Sequence, residues 1–212
     1  REGGDPLVVL AELVFLRVVK ASGKFIYVIK GKRKQVKIRL GITRCHIAQQ
    51  VAQEVRAGGA SALVVRADVA DETAVRQMVA TAGDTYGRID ALINSAGPYH
   101  RVSLLQETLE GWHSMFDNNL HPVFYLTRAV IPIMKERKWG RIVSFSMANA
   151  EQLIAQPQLT AHYLSKVALL ALSRSFAKLI AVDGITMNRE RLMADDPDDA
   201  MRDVLHENRR AE

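Results

Sequence analysis

The sequence predicts a doubly wound α/β fold, a parallel sheet with helices on both faces, and three observations carry that prediction. Residues 44–97 alternate between helix-period and strand-like patterns in the order helix, strand, helix, strand, which implies parallel strands joined by crossing helices. The apolar run Ile89, Ala91, Leu92 and Ile93 stops abruptly at Asn94-Ser95-Ala96-Gly97-Pro98, as a buried strand ends in a loop. Two further short runs, Gly140 to Ser146 and Gly184 to Asn188, flank a long apolar-periodic helix.

The elements follow in order. Leu7-Val8-Val9-Leu10 and Leu13 to Val19 read as a strand or a short buried helix. Phe25 to Ile29, the basic stretch Lys30 to Lys34, and Gln35 to Leu40 read as a hairpin, because the second arm alternates apolar and basic residues. In residues 44–57, Ile47, Val51 and Val55 recur every four positions between Gln49, Gln50, Gln53 and Glu54, an amphipathic helix ended by Gly58-Gly59. Ala62 to Ala67 is a short strand closed by Asp68-Val69, and Asp71-Glu72-Thr73 starts a helix with Val75, Met78 and Val79 inward. A polar turn at Tyr86-Gly87-Arg88 precedes the strand at 89–93. Met115 to Met134 is periodic and broken near His121-Pro122, since a proline interrupts a helix interior. Ala161 opens a helix that runs through Leu169, Leu170, Phe176 and Leu179, and residues 195–212 hold a charged amphipathic helix.

The 212 residues are enough for one domain with a sizeable core. We divide it into an atypical basic segment (1–43), a recognisable core (44–188) and a C-terminal helix (189–212). Charge marks the first border. Residues 1–43 carry ten basic and three acidic side chains, a net of +7, whereas residues 44–212 carry 19 basic and 20 acidic ones. The cluster from Lys30 to Lys37 reads as a solvated hairpin tip ahead of a polyanion site, with no aromatic platform for a nucleic acid. A single cysteine, Cys45, excludes an internal disulfide framework and fits a reducing compartment. Leu7 to Val19 is too short and too charged to span a bilayer and lacks the features of a signal peptide. The expectation is a cytoplasmic protein with neither a membrane nor a nucleic-acid partner.

Several of these stretches together resemble the short-chain dehydrogenase/reductases, in particular the 3-oxoacyl-carrier-protein reductase-like branch. Gly87-Arg88-Ile89-Asp90 with Asn94-Ser95-Ala96-Gly97 is similar to the family's GRIDxLINxAG, with Ser95 in place of the second Asn. Arg66 to Asp71, the stretch around Asn119, Gly140 to Ser146, and Gly184 to Asn188 are similar to further family motifs. The resemblance covers about residues 45–188. It implies a Rossmann-like domain, an NADP or NAD cofactor, a small-molecule carbonyl or alcohol substrate, and a homodimer or homotetramer. It implies that Asp68, Val69, Asn94, Ala96, Gly97 and Lys166 meet the dinucleotide. It also implies that Asn119 holds a helix break and a relay water, that Ser146 binds the substrate oxygen, and that Lys166 tunes the acid.

The chain departs from the family in three places. The family spaces its catalytic Tyr four residues before the Lys. Here His162 occupies that register and Tyr163 lies three residues before Lys166, so either shares the helix face and either could move the proton. Met147 stands where the family's second Ser would be, and Pro122 replaces a Gly. No TGxxxGxG loop occurs in residues 1–43, and the family's closing segments after Asn188 are shortened. The alternative to an oxidoreductase is therefore a catalytically degenerate member that serves as a binding or structural subunit.

Overall fold

The computed structural model describes residues 7–13, 24–31, 45–57, 59–95 and 97–192. Six strands form one sheet: β1 (Leu7–Leu13), β2 (Lys24–Gly31), β3 (Ser61–Ala67), β4 (Ala91–Asn94), β5 (Gly140–Met147) and β6 (Ile185–Leu192). Their spatial order is β3-β2-β1-β4-β5-β6. Strands β1, β4, β5 and β6 pair in parallel. The five helices are α1 (Cys45–Ala57), α2 (Glu72–Tyr86), α3 (Leu109–Asn119), α4 (His121–Glu136) and α5 (Thr160–Ile180).

One strand departs from the parallel expectation. β2 runs antiparallel to both β1 and β3. The reason is length. Residues 14–23 alone join β1 to β2, and a crossover between parallel strands needs roughly a dozen residues or more, usually with a helix. The chain reverses instead. The hairpin expected between Phe25–Ile29 and Gln35–Leu40 is corrected as well. Both edges of β2 are taken, by β1 and β3, and residues 35–40 lie outside the described residues. So does the expected helix at 195–212.

Strands β3, β4, β5 and β6 step across the sheet in one direction, so right-handed crossovers put α2, α4 and α5 on one face. A single core fills the space between. Leu92, Ile142 and Ile185 from the strands meet Met78 and Val79 of α2, Leu126 and Met134 of α4, and Leu169 of α5. Each fully buried side chain of this size contributes roughly 1.5–3 kcal/mol relative to exposure. The alternate positions Ile93, Val143 and Phe145 are buried on the opposite face. On the far side of the sheet order, α1 packs against β2 and β3.

Helix ends follow their capping residues. The Asp71 carboxylate accepts from the Thr73 amide at 2.8 Å, and Gly87 closes α2 at φ 71°, a left-handed conformation that costs glycine little. Replacing Asp71 by Ala is expected to lower stability by about 1 kcal/mol in urea denaturation without changing the polar cluster described below. The expected break near Pro122 is present. α3 ends at Asn119, and Pro122 lies in the first turn of α4, where a helix makes no use of the missing N–H. No described helix is long and apolar enough to cross a membrane.

Candidate active site

Parallel pairing sets Asn94, the last residue of β4, opposite Ser144 on β5. The Asn94 Nδ2 donates to Ser144 Oγ at 3.0 Å, and its Oδ1 is buried with no partner. The chain then passes Gly97 and Pro98 and meets the end of α3. There Asn119 is almost fully buried. Its Nδ2 donates to the Pro98 carbonyl at 3.1 Å and to the Met115 carbonyl at 2.9 Å. Asn119 therefore ties the break between α3 and α4 to the loop after β4. Its Oδ1 lies against Gly97, also without a partner.

From the other side, α5 supplies His162 and Lys166, one turn apart on one helix face. Lys166 is 8% exposed, and its Nζ donates to the Phe145 carbonyl at 3.1 Å, beside Ser144 on β5. His162 is 7% exposed, and Tyr99 stacks edge-on against its ring with centroids 5.0 Å apart. Burial, then the Lys166 charge, push the His162 pKa down from 6.5 to about 4; the Pro98 carbonyl opposes them, and His100 adds a smaller depression. The imidazole is therefore neutral at pH 7. Its Nδ1 is buried without a partner. Contacts thus run from Gly97 through Asn119 and Pro98 to His162 and Lys166, a polar cluster at the carboxyl ends of β4 and β5.

Other residues singled out from the sequence are engaged elsewhere. The Tyr163 phenol donates its single proton to the Asn149 carbonyl at 3.0 Å and accepts from the Ile154 amide at 3.1 Å. It braces the loop between β5 and α5. Ser146 is 2% exposed, and its hydroxyl donates to the Lys166 carbonyl at 3.3 Å, so its proton is directed at the α5 backbone. The Asp68 carboxylate accepts from the Ala70 amide at 3.0 Å and shapes the turn into α2. Val69 is wholly buried in the core. Ala96 lies outside the described residues.

Sequence reasoning missed Ser144, the Pro98 carbonyl and Tyr99. The inward alternation of β5 could have pointed to Ser144. Nothing in the sequence marked a carbonyl as the meeting point of Asn119 and His162. His100 was missed too; its Nε2 is 2.7 Å from Glu107 Oε2. Among the described residues, no three His, Cys, Asp or Glu side chains converge to hold a metal ion.

A doubly wound sheet with polar side chains gathered at its strand ends defines a class of α/β proteins. Within that class the assignment is specific: a family profile described as short chain dehydrogenase matches residues 32–190, and the chain belongs to that family. The match begins just after β2, so the antiparallel pair β1–β2 lies outside it. The chain is 33% identical over 141 residues to a 3-oxoacyl-[acyl-carrier-protein] reductase of Synechocystis, covering 66% of this chain and 56% of that protein. It is 38% identical over 140 residues to the oxidoreductase UcpA of Salmonella typhimurium, covering 66% of this chain and 53% of the relative. It thus spans about half the length of these curated relatives. Among solved structures, a short-chain dehydrogenase from Streptomyces avermitilis matches with a TM-score of 0.55 and 29% identity, over 57% of this chain and 44% of that one. A putative short-chain dehydrogenase/reductase from Burkholderia xenovorans, 22% identical, matches in fold with a TM-score of 0.64, over 70% of this chain and 58% of that one.

Proposed function

We propose that this chain is the core of a cytoplasmic NADP- or NAD-dependent oxidoreductase that interconverts a small-molecule carbonyl and alcohol, of the 3-oxoacyl-thioester reductase kind. One observation carries the reading. Asn94 Oδ1, Asn119 Oδ1 and His162 Nδ1 are all buried without partners at the carboxyl ends of β4 and β5, and Lys166, one turn from His162, is buried too. Buried polar atoms are almost always paired, so three orphans in one cluster fit a polar ligand that completes it. The family membership and the two relatives named as a reductase and an oxidoreductase support the same class.

The nicotinamide group, when bound, supplies or takes up the hydride. The chain's own residues do the rest. Lys166 would grip the ribose hydroxyls, and its charge favours negative charge developing on the substrate oxygen. Glycine at 97 leaves room for the Asn119 carboxamide, which holds the loop after β4 in place. Asn94 and Asn119 offer acceptors from fixed positions, and His162 handles the proton. Titration with NADH and with NADPH, followed by nicotinamide fluorescence, is expected to show saturable binding of at least one below millimolar concentration. No binding of either at millimolar concentration sinks the proposal.

A second reading keeps the sheet and drops the catalysis: a binding or structural subunit. The antiparallel β2 favours it. The short link between β1 and β2 has no length for a strand-to-helix crossover, the element that turns a helix N-terminus toward a pyrophosphate. Both readings allow a homodimer or homotetramer. The exposed Leu164 and Leu179 on α5, with Val182 just beyond it, would suit a partner copy. Light scattering at micromolar concentration is expected to give at least twice the chain mass, and a monomer mass rejects the assembly.

A further inference from the structure

We infer that Tyr163 is a positioning residue, whose hydroxyl fixes the loop between β5 and α5 so that Leu153 and Ile154 stand outward as an apolar seat for a hydrocarbon chain of the substrate. The inference narrows the oxidoreductase reading to a carbonyl or alcohol that bears such a chain, and it rests on that reading.

The loop backbone carries the observation. Leu153 stands at φ 52° and ψ 41°, a left-handed conformation in which its Cβ crowds the carbonyl that follows. A leucine keeps that conformation only where the surrounding contacts impose it. Tyr163, itself buried, donates its phenolic proton to the Asn149 carbonyl at 3.0 Å and accepts from the Ile154 amide at 3.1 Å. One hydroxyl thus pins both ends of the turn from Asn149 to Ile154. The Gln152 amide closes the turn on the same Asn149 carbonyl at 3.0 Å, and Arg189 of β6 reaches Glu151 at 3.6 Å. Leu153 is 72% exposed, so burial of its side chain does not offset the strain. Glycine would take the same backbone at less cost. Strain held in place and left uncompensated by packing belongs to a site that binds something.

A second loop meets the first. The Leu104 amide donates to the Pro157 carbonyl at 2.8 Å, so the segment after β4 lies against the one after β5. That segment adds the exposed Leu104 and Leu109, and Leu105 at 97% exposure. Both loops leave the carboxyl ends of paired parallel strands, where open α/β sheets take their ligands. Exposed leucines gathered from two loops mark a binding surface. Tyr99 joins that surface to the polar cluster, because its ring packs edge-on against His162 and is still half exposed. This continuity selects the substrate's own chain as the occupant, ahead of a second copy of the protein.

The test compares 3-hydroxybutyryl- and 3-hydroxydecanoyl-N-acetylcysteamine as alcohols, with whichever oxidised nicotinamide binds. Wild type is expected to favour the decanoyl compound at least about tenfold in kcat/KM, since the longer chain gains apolar contact. Tyr163→Phe is expected to raise the decanoyl KM about tenfold while kcat stays within about twofold, the mark of lost ground-state contact. In the ligand-free variant the Ile154 amide is expected to exchange its hydrogen at least about tenfold faster. Leu153→Gly is expected to equal or exceed wild type in urea stability and still to lose the decanoyl preference. Absence of a chain preference in wild type, its survival in Leu153→Gly, or an unaltered Ile154 exchange rate overturns the inference. A kcat about 100-fold lower on both substrates in Tyr163→Phe overturns it too, by making the phenol part of the chemistry. So does a lower molar mass for Leu153→Gly in light scattering, which would make these leucines a contact between copies. Wild type that binds neither nicotinamide overturns the underlying oxidoreductase reading instead.

Discussion

Gly97→Ala is expected to lose about 3 kcal/mol of stability in urea denaturation and at least tenfold in nicotinamide affinity. Gly97 has φ 154°, a conformation that side chains resist, and an added Cβ would overlap the Asn119 carboxamide. That carboxamide cannot move freely. Its Nδ2 bonds both the Pro98 and the Met115 carbonyls. Displacing it leaves buried groups unpaired at roughly 1–3 kcal/mol each, and backbone strain adds roughly 1–3 kcal/mol. Truncating the obstacle relieves the overlap, so Gly97→Ala with Asn119→Ala is expected to be less than additive in a double-mutant cycle. Full additivity would mean that the two residues do not touch.

That contact also shows what the sequence could and could not convey. The end of β4 was legible because an apolar run halting at small residues has few other meanings. The break between α3 and α4 was legible because Pro122 tolerates few helix positions. The direction of β2 was not. Residues 24–29 look the same paired either way, and the apolar–basic alternation of 35–40 offered a plausible local partner. The deciding quantity was the length of the link after β1, which matters only once β1 is known to end at Leu13.

Within the site, the spacing of His162 and Lys166 announced a shared helix face. The choice between His162 and Tyr163 stayed open because positions three and four before Lys166 both lie near that face. In the structure a distant loop engages the Tyr163 hydroxyl. Asn149 and Leu153 adopt left-handed backbone conformations there, at φ 63° and 52°, and the Tyr163 phenol satisfies Asn149's carbonyl and the amide of Ile154. Likewise Ser144 and Ser146 are indistinguishable by pattern. Parallel register gives Ser144 to Asn94, and the approach of α5 gives Ser146 to the Lys166 carbonyl.

Acid should destabilise this protein through His162 in a window set by two pKa values. Above pH 6.5 the ring is neutral whether the chain is folded or not, and it contributes no pH dependence. Between pH 6.5 and about 4 the unfolded chain takes up a proton that the native ring refuses. The unfolded state then binds more protons, so native stability falls as pH falls. Below about 4 the native ring is protonated too, and this contribution levels off. The whole drop is about 3 kcal/mol, at 1.36 kcal/mol for each pKa unit. Carboxylates also titrate near the lower end, so the quantity to measure is the urea stability of wild type minus that of His162→Gln, from pH 8 to pH 3.5. Glutamine binds no proton in either state. The difference is expected to be flat above pH 6.5 and to shift against wild type by about 3 kcal/mol on the way to pH 4. A flat difference throughout would mean that the native ring takes its proton at the ordinary pH. The histidine beside Lys166 would then be in contact with water, and the orphaned Nδ1 would not exist.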